Sequence, residues 1–155
     1  MKIDRRRLCA VLASLPLQAA SSAAWAQAAH IWSVRQTYRA LLDDSVRLLD
    51  IRSRDEWRDT GVARGAWLVS MHERRFAERL FAARDLAGDR PVALICAVGG
   101  RTGSVMQALR QAGYTGFVDV SEGMLGSPVG RGWIAEGLPV VTIDEALAGT
   151  PQSLL

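Results

Sequence analysis

Short apolar runs alternate with helix-patterned stretches from residue 33 to residue 120, and that alternation restricts the fold more than anything else in the chain. Pro91-Val92-Ala93-Leu94-Ile95 is apolar throughout, which reads as a strand buried on both faces. Val46 to Ile51, Ala66 to Val69 and Phe117 to Val120 read as further strands. Ser33 can cap a helix that puts Val34, Tyr38, Leu41 and Leu42 on one face. Ser53-Arg54-Asp55-Glu56 has the form of a capping box, opening a short helix that stops by Gly61. Glu73 to Arg84 reads as a helix with Phe76, Leu80 and Phe81 facing inward. Thr102 to Ala112 reads as another, ended by Gly113. Gly123 to Gly137 is glycine-rich but holds Trp133 and Ile134, which predicts a loop with a short helix. The pattern predicts an α/β fold, a parallel sheet flanked by helices on both faces. The tail from Ala148 to Leu155 is expected to fray.

One segment carries chemistry. Cys96-Ala97-Val98-Gly99-Gly100-Arg101-Thr102 joins the most apolar strand to a helix. In a parallel sheet, ligands bind beyond the carboxyl ends of the strands, which is where Cys96 falls. Small residues let the N–H groups of residues 97–102 converge on one point. Gly99 and Gly100 permit positive φ and a close approach. The helix N-terminus and Arg101 add positive character, and together these favour a Cys96 thiolate over the thiol. Such a thiolate is suited to attack a sulfur atom, and the same N–H groups would hold the resulting sulfur anion.

Charge argues against a polyanionic partner. Residues 1–26 carry Lys2, Arg5, Arg6 and Arg7 against Asp4, a net of +3 that equals the net charge of the whole chain. The remaining 15 Arg and 15 Asp or Glu balance, so nucleic acid and acidic membrane surfaces are not expected partners. The basic start, the apolar stretch from Leu8 to about Leu17 and Ala24-Trp25-Ala26 make residues 1–26 an expected export signal, cut before Gln27. Arg5-Arg6-Arg7-Leu8 fits both the twin-arginine and the general route. Residues 27–155 then form a single domain, with no membrane contact expected after cleavage. Cys9 leaves with the signal, so Cys96 stays as a lone thiol without a disulfide partner.

Taken together, these residues resemble the rhodanese family of sulfurtransferases. The active loop of its single-domain members reads Cys-x-x-Gly-x-Arg-Ser/Thr, and Cys96, Gly99, Arg101 and Thr102 fill all four positions. Leu49-Asp50-Ile51-Arg52, Glu56-Trp57, Gly61 and Gly65-Ala66 follow the family's upstream pattern, although Val62 and Ala63 stand where His and Ile are usual. Gly113-Tyr114, Glu122-Gly123-Met124, Gly132-Trp133 and Gly137-Leu138-Pro139-Val140 match its closing segment. The resemblance spans about residues 31–141. It implies a rhodanese-like fold and a Cys96 persulfide intermediate. The implied donor is a small sulfur anion such as thiosulfate, and the acceptor is cyanide, a thiol or a protein. It implies no metal and no organic cofactor. The export signal is similar to that of small periplasmic members. Four residues separate Cys96 from Arg101, whereas phosphatases and arsenate reductases of the same fold use five. The shorter cradle suits one sulfur atom rather than a tetrahedral oxyanion.

Asp50 and Arg52 resemble the family pair near the active loop, and a bracing role is expected, with Arg52 paired to Glu56 or Asp50. Trp32, Trp57, Trp67 and Trp133 read as packing residues. His72-Glu73 has no second His or Cys at a metal-binding spacing, and His30 reads as solvated. Arg74, Arg75 and Arg79 read as a basic helix face. Two other functions remain open: a non-catalytic rhodanese module that binds a partner, and a thiol redox protein.

Overall fold

The computed structural model describes residues 30–155. The export segment expected over residues 1–26, Cys9 included, lies outside the described residues. Numbered in chain order, the elements are α1 (Val34–Leu42), β1 (Arg47–Asp50), α2 (Arg54–Thr60), β2 (Val62–Ala63), β3 (Ala66–Leu68), α3 (Phe76–Ala87), β4 (Val92–Ile95), α4 (Gly100–Gln111), β5 (Phe117–Asp119), α5 (Gly132–Ala135), β6 (Val140–Val141) and α6 (Ile143–Gly149). A 3-10 turn at Gln152–Leu154 ends the chain. Among the described residues, no helix is long and apolar enough to cross a membrane.

The central sheet has the order β3-β1-β4-β5, and every neighbouring pair is parallel. Side chains alternate across it, as a pleated strand requires. Leu48, Ala93, Ile95, Val118 and Val120 face one layer with Val34, Trp57, Met124, Trp133 and Ala146. Leu49, Leu94, Cys96 and Phe117 face the other, under Leu80, Ala83, Met106 and Leu109. Helices therefore cover both faces, as the alternation predicts. All four residues of β4 are buried, which accounts for its unbroken apolar run.

Both N-terminal cap signals hold. Ser33 Oγ accepts from Gln36 N–H at 3.1 Å and Gln36 Oε1 takes the Ser33 N–H at 2.8 Å. Ser53 and Glu56 make the same reciprocal pair at 3.3 and 2.9 Å. Leu42 departs from its expected inward place and is 68% exposed. Val34, Thr37, Tyr38 and Leu41 fill the inward face, and Leu42, the last residue of α1, lies about 80° round the helix from Val34, on the solvent side of that face. Buried Thr37 is tolerated because its hydroxyl donates to Ser33 O at 2.9 Å.

Other boundaries move. α3 starts at Phe76 rather than Glu73, since Glu73 to Arg75 form a turn with Phe76 N–H on Glu73 O, and it runs on to Ala87. Arg74 and Arg75 thus precede the helix, and the expected basic face is largely neutralised. Arg75 pairs with Glu78, and Arg79 with Glu73, which also takes Arg54. The tail does not fray. Leu154 is fully buried against the second layer, and Thr150 Oγ1 accepts Leu68 N–H at 3.1 Å, tying the tail to edge strand β3. β2 and β6 pair antiparallel, a ribbon too short to leave a pattern in the sequence.

Candidate active site

Cys96 follows the last residue of β4 and is fully buried. The chain then turns at Gly99, whose φ of +83° lies in the left-handed region. A Cβ there would also stand 2.2 Å from Ser121 O, so glycine is required twice over. Gly100 needs no such freedom. It is the first residue of α4 with open space beside it, so only one of the two expected glycine turns exists. The helix begins two residues earlier than expected, because left-handed Gly99 is itself the N-cap. The first-turn N–H groups of Gly100, Arg101 and Thr102 therefore have no acceptor within the helix and aim back toward the loop.

Three contacts define the sulfur's surroundings. Gly99 N–H donates to Cys96 Sγ at 3.2 Å. Thr102 Oγ1 lies 3.8 Å from the same sulfur and donates to Gly99 O at 2.9 Å. Thr102 is fully buried, Ala97 is buried, and Val98 is exposed at the rim. The loop is held from behind by a segment that sequence reasoning placed only in the closing pattern. Met124 N–H donates to Cys96 O at 2.8 Å and Leu125 N–H to Ala97 O at 2.9 Å. Gly123 makes room for this, since a Cβ there would meet Ala97 O at 2.4 Å.

Arg101 does not point its charge freely at the loop. Its guanidinium forks onto Glu56, with Nη1 on Oε2 at 2.7 Å and Nη2 on Oε1. Glu56 is the carboxylate that caps α2, so one side chain finishes a helix and fixes the loop arginine. The Arg101 fork, helped by Ser53, holds the Glu56 carboxyl down at about 2. His72 Nε2 lies 3.3 Å from Arg101 Nη1, so His72 stands at the rim, a place that its sequence context, which argues against a metal ligand, does not reveal. Both partners are distant from Arg101 in sequence, so neither contact has a local signal.

The Glu56 shift predicts how stability depends on pH. Its folded value lies below its ordinary value of 4.5, so its contribution is complete above about 4.5 and is lost as pH falls toward 2. The pair is partly exposed, so the effect is expected to be about 1 kcal/mol or less. Melting temperature measured from pH 5 to pH 2 should fall less steeply in Glu56→Gln than in the wild type. Equal slopes would remove Glu56 as a contributor.

Asp50 and Arg52 form the brace that the resemblance implied, and of the two candidate carboxylates Arg52 pairs with Asp50. Both side chains are fully buried. Arg52 Nε lies 3.0 Å from Asp50 Oδ1 and Nη2 lies 2.7 Å from Oδ2. The guanidinium also donates to Thr60 Oγ1 and Gly61 O, each at 2.7 Å, so it ties the end of β1 to the end of α2. Trp57 and Trp133 are buried as expected, with Trp32 and Trp67 packed at the edges. His30 is half-buried rather than solvated. Its carbonyl accepts Asp119 N–H at 2.7 Å and its side chain lines a shallow cavity with Arg110 and Tyr114.

The fold has counterparts among solved structures. A rhodanese-related protein from Thermoplasma volcanium superposes with a TM-score of 0.52 at 26% identity, covering 72% of this chain and 97% of its own. A protein from M. tuberculosis does so with a TM-score of 0.52 at 29% identity, covering 70% of this chain and 94% of its own. The polysulfide-sulfur transferase homodimer of Wolinella succinogenes shares the fold at 22% identity and a TM-score of 0.51, over 79% of this chain and 88% of its own. No curated protein sequence matches the chain. The rhodanese-like domain model matches residues 33–126, more than half of the chain and all of the loop from Cys96 to Thr102, so the chain belongs to the rhodanese-like domain family.

Proposed function

We propose that the protein is a sulfurtransferase that carries sulfur as a Cys96 persulfide. The observation that supports this best is the buried Cys96 sulfur, with Gly99 N–H 3.2 Å away and the first turn of α4 beyond it. The Cys96 thiolate attacks the outer sulfur of a donor such as thiosulfate. A new S–S bond forms, the donor's own S–S bond breaks, and sulfite leaves with the electron pair. Cyanide, a thiol or a protein thiolate then attacks the terminal sulfur, and Cys96 departs as thiolate. Both half-reactions conserve charge and use no metal or organic cofactor. The loop N–H groups stabilise whichever sulfur atom is anionic at each stage. Residues 27–155 are proposed as the mature single domain, active in the periplasm after loss of the N-terminal signal.

The test is the intact mass of the protein beginning at Gln27, before and after thiosulfate and again after cyanide. A gain of one sulfur atom that cyanide removes is the expected result. No gain from thiosulfate or from a low-molecular-weight persulfide would overturn the assignment. Partner binding without loading would then favour a non-catalytic module, and reversible sulfenic acid at Cys96 a redox protein.

A further inference from the structure

Asp119 is the buried acid that the proposed transfer leaves unused. It is the last residue of β5 and pairs in register with Leu94 of β4, two residues before Cys96. Strand alternation puts its side chain on the face of Phe117, which is the layer that holds Leu94, Cys96, Met106 and Leu109 beneath α4. Thr102, in the first turn of α4, is fully buried, and its hydroxyl neighbours the Asp119 carboxyl as well as the Cys96 sulfur. Asp119 is 8% exposed, and its Oδ1 is buried with no hydrogen-bond partner among the described residues. Its backbone is fixed on both sides, with N–H on His30 O at 2.7 Å and C=O on Trp32 N–H at 2.9 Å.

A buried carboxylate oxygen without a partner is costly, and proteins retain one where it is neutralised or used. Here burial pushes Asp119 up from its ordinary value, against the opposing pull of the Thr102 hydroxyl and of Arg110. The charged or titratable groups around it are Arg110 on α4, Cys96 beyond Leu94 on β4, and His30 in the lead-in.

We propose that Asp119 is the internal proton partner of Cys96, reached through the Thr102 hydroxyl. The thiol S–H gives its proton to Thr102 Oγ1, and the Thr102 hydroxyl, turned from Gly99 O toward Asp119, passes its own proton to the carboxylate. The products are a thiolate and a neutral carboxylic acid, so the buried charge stays at one negative unit throughout. The two anions are never buried together, and the persulfide anion that follows faces a neutral acid. Asp119 acts through Thr102 and is a positioning residue. The inference rests on the proposed function only in taking Cys96 as the reactive group.

The test therefore reads thiol ionisation rather than sulfur transfer. Iodoacetamide alkylation of Cys96 in the full chain is followed by peptide mass, which separates it from Cys9, between pH 7 and pH 5. A proton moved within the pair does not depend on bulk pH, so the wild-type rate should stay within about threefold, whereas Asp119→Asn should react more slowly than the wild type and lose about tenfold per pH unit. Thr102→Val should behave like Asp119→Asn. If Asp119 were only a nearby negative charge, Asp119→Asn would alkylate faster than the wild type, the opposite sign. That result, or a wild-type rate that itself falls about tenfold per unit, overturns the proposal. The wild-type profile decides even where the variants do not fold.

Discussion

Replacing Cys96 by Ser is expected to abolish sulfur uptake and leave the fold in place. The site is fully buried, and inserting a hydroxyl into such a place without partners costs about 1–3 kcal/mol. Here the hydroxyl inherits partners, because Gly99 N–H and Thr102 Oγ1 already face the position. The net loss in stability should be about 1 kcal/mol, small against the stability of a typical domain. Chemistry has no such remedy. A serine hydroxyl does not ionise appreciably in the neutral range, and oxygen cannot replace the sulfur-sulfur bond that stores the transferred atom. Thiosulfate should add no mass to Cys96→Ser, and cyanide should release no thiocyanate, while its melting curve stays close to that of the wild type. Retained sulfur uptake would move the carrier away from Cys96.

Asp50→Ala is expected to be the most damaging substitution for stability. It leaves Arg52 fully buried with its main carboxylate gone, and breaking a buried pair from one side costs about 3–5 kcal/mol. The double change Asp50→Leu with Arg52→Met should cost less than Asp50→Ala alone, because no charge remains to be buried. It should not be neutral. Arg52 also serves Thr60 Oγ1 and Gly61 O, which would lose that donor. Urea unfolding of the three proteins gives the comparison. A loss of less than about 1 kcal/mol in Asp50→Ala would show that the pair does not brace the domain. Activity should fall with stability, since loosening α2 also loosens Glu56 and hence Arg101.

What was legible in the sequence was local. The capping residues Ser33 and Ser53, the unbroken apolar run of β4 and the loop from Cys96 to Thr102 each occupy a few consecutive positions, where one physical rule applies. The helix over Thr102 to Ala112 was legible too, but its start at Gly100 was not, because a glycine N-cap leaves no side-chain signal. The rest depends on contacts through space. Glu56 reads locally as a helix cap or as a partner for Arg52, and its bond to Arg101 spans 45 residues. His72 meets Arg101 across 29. Asp119 has the local pattern of an ordinary strand residue, and only the pairing of β5 with β4 brings it near Cys96. Leu154 follows Gly149-Thr150-Pro151, a sequence that reads as the end of structure, yet it is buried because α3 and the sheet leave a place for it.

The segment behind the loop has an evolutionary consequence. The carbonyls of Cys96 and Ala97 are spoken for by Met124 and Leu125, and Gly99 and Gly123 each leave no space for a side chain. Any residue inserted between Cys96 and Arg101 must therefore bulge outward past Val98 or displace the stretch from Val120 to Leu125. Widening the cradle for a larger anion is then not a one-step change. It requires coordinated alteration of two stretches that are close in space and well separated in the chain.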